Sequence, residues 1–198
     1  MLARERQQLY AFFSRLFVRE LDPAFLEVLV GPLGRSLLPE LFEGEAGIAG
    51  FGGEGHAAIY DADFVHLTVV DGVPYASFYQ RQDGMIEAGA ANPLVGFLEQ
   101  YGFEVDLGAA RALSPDHLGV ELEVMAVLCG KEAEAEPSEA PQIRAVQRAF
   151  LAEQLLGWAP VYLNLVQRLA YTRLYAVGAA AALEFLLSDH EALLQEAE

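Results

Sequence analysis

The sequence predicts an all-α protein folded as a single-domain helical bundle, and three features carry that expectation. Apolar residues recur at helical spacing, as in Leu9, Phe12, Phe13, Leu16 and Phe17. Helix-start pairs punctuate the chain at Asp22-Pro23, Asn92-Pro93 and Ser114-Pro115. Alternating, strand-like runs are nearly absent. With 198 residues and 54% hydrophobic composition the chain can bury one substantial core, so residues 1–198 are expected to form one domain.

The elements follow in order. Residues 2–19 set Leu2, Leu9, Phe12, Phe13, Leu16 and Phe17 on one broad face, with Arg4, Arg6, Arg15 and Arg19 mostly off it, the pattern of an amphipathic helix. Asp22 and Pro23 cap and open a second helix to about Val30, and Pro32 to Phe42 reads as a third. Glu43 to Gly55 holds six glycines and reads as a loop; its Gly-Phe-Gly-Gly-Glu-Gly string lacks the Lys-Ser/Thr ending and the preceding strand of a phosphate loop. His56 to Thr68 reads as helix. Val69-Val-Asp-Gly-Val73 carries a hairpin signal, although an all-helical context favours a loop. Asn92-Pro93 starts a helix that ends at Gly102, and another is expected from Ser114 to about Ala133, with Ser114 as cap, Pro115 in the first helical position and Asp116 in the first turn. Residues 132–141, acidic and holding two prolines, read as a linker. Helices over 144–156, 160–171 and 172–187 and a tail helix from Ser188 complete the bundle.

Charge narrows the partners. Twelve basic residues against 29 acidic ones give a net charge of -17, which argues against nucleic acid and anionic membrane surfaces and favours a cationic partner. Residues 36–130 hold 15 acids and two bases, Arg81 and Arg111. Cys129 is the single cysteine, so an intramolecular disulfide and a multi-cysteine zinc site are excluded and a reducing compartment fits. No export signal is evident at the N-terminus, and the most apolar run, 174–187, is too short to span a bilayer. A cytoplasmic protein without stable membrane insertion is expected.

The densest cluster of chemistry is Ser114-Pro-Asp-His-Leu-Gly-Val-Glu-Leu-Glu-Val-Met125, in which His117 and Glu121 lie four apart on one helix face and Leu118, Leu122 and Met125 share another. One His beside carboxylates could serve as a general base, but no nucleophile or oxyanion-hole motif accompanies it. Asp63-x-x-His66 is half of a di-metal pattern whose other half is missing. A small helical metal-dependent enzyme using His66, His117 and nearby carboxylates is therefore the alternative function, and a helical structural subunit is a third.

Pro115, Asp116, His117, Leu118, Glu121, Leu122 and Met125 together resemble the signature of the TorD/DmsD family of redox-enzyme maturation chaperones. Pro74-Tyr-Ala-Ser-Phe-Tyr79 resembles that family's Tyr-x-Ser-x-Tyr segment, Asp63 to Leu67 the stretch before it, and Phe150, Trp158, Tyr171, Tyr175 and Phe185 its later aromatic landmarks. The order is kept from about Arg6 to Leu187. Val124 departs by standing where an aromatic is more usual, and no Trp follows Tyr79.

The resemblance implies a non-catalytic chaperone without cofactor or metal, a monomer or homodimer, whose partner is a molybdoenzyme catalytic subunit and its twin-arginine signal peptide. It also implies a peptide-binding set of Tyr75, Ser77, Tyr79, Pro115, Asp116, His117 and Glu121. Tyrosine rings would meet the client's apolar segment, Asp116 and Glu121 would pair with its arginines, His117 would orient the turn or donate a hydrogen bond, and Pro115 would hold the turn.

Overall fold

A computed structural model describes residues 1–43 and 56–195, and among these the chain is an all-α bundle without a strand. The helices are α1 (Ala3–Val18), α2 (Pro23–Val30), α3 (Pro32–Leu37), α4 (His56–Val65), α5 (Ala76–Gln80), α6 (Pro93–Tyr101), α7 (Leu118–Glu134), α8 (Ala140–Phe150), α9 (Ala159–Leu169) and α10 (Arg173–Gln195). Apart from Glu43, the predicted glycine-rich loop lies outside the described residues.

α7 is the axis of the bundle, and α1 packs along its length. A helix apolar on nearly every side belongs in the interior, and α7 buries residues 118–122, 124–126, 128–130 and 132. Its exposed stripe is Glu123, Val127, Lys131 and Glu134, spaced three and four apart along one ridge. α1 contributes Tyr10, Phe12, Phe13, Leu16 and Phe17 to the same core. Two glycines allow the close approach. A Cβ on Gly119 would come within 2.6 Å of Val18, and one on Gly178 of α10 within 2.6 Å of Leu16.

Local signals placed two helix starts correctly. Asp22 accepts from the Phe25 amide at 2.8 Å to open α2, and Asn92 accepts from the Leu94 amide at 2.9 Å to open α6, which Gly102 ends in the left-handed region. Four expectations change. The third helix divides at Leu38, because Pro39 starts a separate 3₁₀ turn over Pro39–Phe42. Val69 and Val70 belong to a π-helical turn, His66–Val70, that extends α4. The expected linker begins later, since 132–134 still belong to α7 and Glu132 is buried. The last two helices are one: α10 runs through Ser188, and its Asp189 is held in the core by Arg6 and Tyr10. No described helix is long and apolar enough to cross a membrane.

Candidate functional site

The two motif segments, 39 residues apart at Ser77 and Asp116, meet at the start of α7. The Ala76 amide donates to the Asp116 carbonyl at 3.0 Å and the Leu118 amide to the Pro74 carbonyl at 2.9 Å, forming one antiparallel bridge between Tyr75 and His117. The ring of Tyr75 stands edge-on to His117, with centroids 5.0 Å apart, and its hydroxyl accepts from the Leu113 amide at 3.0 Å. Oδ2 of Asp116 accepts from the Ser77 amide at 2.7 Å and so satisfies a free donor in the first turn of α5.

His117, not Ser114, caps α7: its Nδ1 accepts from the Gly119 amide at 3.1 Å. That bond requires a lone pair on Nδ1, so the ring must be neutral. Burial independently favours the neutral form, lowering the imidazole to about 4 against a smaller opposing pull from Asp116. Ser114 instead ties in a neighbouring loop, donating to the Glu87 carbonyl at 2.8 Å and accepting from Asn92 Nδ2 at 2.9 Å. The Glu87 amide in turn donates to Ser77 Oγ at 3.0 Å. Loop 81–92 is thereby stitched to both motif segments.

Glu121 points inward to Trp158, whose Nε1 donates to Oε2 at 3.1 Å. Burial raises this carboxyl well above its ordinary range, more than the indole bond lowers it. Tyr79 stacks on Trp158 with centroids 5.7 Å apart, and burial raises its phenol to about 12.

All seven predicted site residues are thus gathered in one corner, but most are inside it. Ser77, Asp116 and Glu121 are 1%, 1% and 0% exposed; Tyr75, Pro115 and His117 are also buried, leaving Tyr79 half-buried and its neighbour Phe78 exposed. The carboxyls expected to meet arginines from solvent are turned instead to a backbone amide and an indole. Each keeps one buried oxygen without a hydrogen-bond partner, Oδ1 of Asp116 and Oε1 of Glu121. Outside the corner Arg81 pairs with Asp83 and Glu87. No sequence signal marked Asn92 and Glu87 as partners of Ser114, since an Asn-Pro pair reads fully as a helix start.

The histidines of the metal-dependent alternative do not assemble a ligand set. His66 stacks on Tyr171 and lies 3.0 Å from Asp71, while Asp63 caps the entry to α10 by accepting from the Tyr171 and Thr172 amides. Among the described residues no three His, Cys, Asp or Glu side chains converge as a metal site.

Comparison with known sequences gives the class. The profile of the nitrate reductase delta subunit family matches residues 53–164, more than half of the chain and including both motif segments, and the chain belongs to this family of TorD/DmsD-type redox-enzyme maturation chaperones. Among curated relatives, the chaperone protein TorD of Psychrobacter sp. is 27% identical over 213 aligned positions, covering 98% of this chain and 93% of that protein. The TorD of Vibrio parahaemolyticus is 26% identical over 208 positions, covering 97% and 96%. That of Aliivibrio salmonicida is 29% identical over 126 positions, covering 63% and 57%. No solved structure gives a significant match.

Proposed function

We propose that this chain is a cytoplasmic, non-catalytic chaperone that captures the catalytic subunit of a molybdenum-cofactor oxidoreductase through its twin-arginine leader. It holds the subunit back from export until the cofactor is in place. The observation that carries this role is correspondence with TorD chaperones over 98% of the chain. Charge supports it: a net -17 favours a client segment that begins with arginines. Covering an apolar leader also suppresses aggregation while the client is incomplete.

In this role the motif residues Tyr75, Ser77, Pro115, Asp116, His117 and Glu121 act from within, fixing the direction in which α7 leaves the corner. Tyr79 and Phe78 are the members that solvent, and hence a peptide, can reach. Calorimetry with a twin-arginine leader peptide tests the role. A dissociation constant of about micromolar order is expected, weakening when both arginines become glutamine. Absence of heat with several genuine leaders, or equal affinity for the glutamine version, would contradict leader capture.

A further inference from the structure

Beside the exposed ridge of α7, on the side away from Glu121 and Trp158, lies a groove of about 280 Å³ between α1, α7 and residues 103–110. Its floor is apolar: Val18, Phe103, Val105, Val120, Val124 and Val127. Three acids line it, Glu104, Asp106 and Glu123, and all three are exposed. Asp106 spends one oxygen on the Ala109 amide, at 2.9 Å. Among the described residues no ion pair engages Glu104 or Glu123. Arg111, the base closest in sequence to Glu104 and Asp106, is already paired with Glu20 at 2.9 Å. The groove therefore sets two acids without ion pairs among the described residues, Glu104 and Glu123, beside an apolar floor.

We propose that this groove is the docking site for the client's leader, receiving an apolar helical segment whose preceding arginines face Glu104, Asp106 and Glu123. The assignment rests on leader capture and adds its location. The occupant follows from complementarity: apolar side chains cover the exposed Val127 and the half-buried Val105, and guanidinium groups match the acids. The groove also has a direction. Glu123, Val127 and Lys131 succeed one another at four-residue intervals, spanning about 12 Å of α7. Lys131 lies over the Phe103 ring, Nζ 4.6 Å from its centroid. A segment with its arginines at the Glu123 end and its apolar run toward Phe103 keeps its positive charge away from Lys131. The opposite orientation sets arginines against that ammonium group.

Both Val127 and Glu123 are exposed, so they can be changed without disturbing the core. The test is fluorescence anisotropy with a labelled twin-arginine leader peptide against the full chain and the variants Val127→Glu and Glu123→Lys. A Glu104→Lys/Glu123→Lys double variant serves as a second charge reversal, and circular dichroism checks each fold. Placing a carboxylate on the apolar floor is expected to weaken binding roughly tenfold or more. The single charge reversal is expected to weaken it about threefold to tenfold, with the loss shrinking in high salt.

Binding by the unaltered chain that persists undiminished in all three variants would overturn the groove and leave leader capture standing. No binding of any leader by the unaltered chain would overturn leader capture and the groove with it. Self-association that Val127→Glu abolishes, with leader affinity unchanged, would reassign the groove to a second copy of the chain.

Discussion

The two ends of α7 are anchored by buried polar clusters of opposite kinds. At its C-terminal end Arg6 binds Asp189 and Glu132, Tyr10 donates to Asp189, and Arg144 and Gln147 bind Glu132. All four carboxylate oxygens there have partners. Burial alone would lower the Arg6 guanidinium, yet hydrogen bonding and attraction from Asp189 more than reverse this and raise it. At the N-terminal end His117 is held neutral, Glu121 is pushed toward its neutral form, and two carboxyl oxygens have no partner. One end is an ionic lock joining α1, α7, α8 and α10. The other is a hydrogen-bonded corner in which burial favours the neutral forms of His117 and Glu121. The Pro115 to Met125 signature begins in the corner and does not reach the lock.

Breaking the ionic lock should have the largest effect. Arg6→Ala leaves Asp189 and part of Glu132 as unpaired buried charge, with an expected loss of roughly 3–5 kcal/mol in denaturant unfolding. Acid comes next. The folded His117 titrates near 4 instead of its unperturbed 6.5, so its contribution is whole above about 6.5 and is lost as pH falls through that window. His117→Asn keeps a capping acceptor for the Gly119 amide but cannot titrate, and should flatten this acid limb.

Glu121 works with the opposite sign. Its raised pKa makes its contribution complete below about 4.5 and progressively lost as pH rises. Glu121→Gln should therefore gain stability relative to the parent with rising pH, as measured by urea midpoints at pH 5 and pH 8. Trp158→Phe removes the indole donor and keeps most of the apolar volume; a loss of about 1–2 kcal/mol is expected from the same urea series. Smallest of all, Val127→Glu and Glu123→Lys on the exposed ridge should stay within about 0.5 kcal/mol of the parent.

How much of this was legible beforehand follows the range of the interactions. Asp22 and Asn92 act on amides two or three residues away, so their caps could be read from the sequence. Ser114-Pro115 carried the same local signal, yet bonds from Ala76 and Ser77 to Asp116 hold the chain extended until His117, and the helix starts later. The break expected at Ser188 fails for a similar reason: Asp189 is satisfied by residues 183 and 179 positions away, and nothing local announces them. The two motif segments meet in space, but charge on Asp116 and Glu121 suggested a surface, while burial was set by Trp158 and the 74–77 segment. The groove was hidden because residues 103–110 come to lie beside α7 only in the folded chain, and no local signal announces that placement.

The most direct measurement is photocrosslinking from a reactive side chain in the apolar run of a twin-arginine leader bound to the unaltered protein, followed by peptide mapping. A corner that directs α7 and a groove that receives the client predict attachment within residues 103–110 and 120–127. Attachment confined to Phe78, Tyr79 and the 81–92 loop would contradict that division of labour and return recognition to the corner itself.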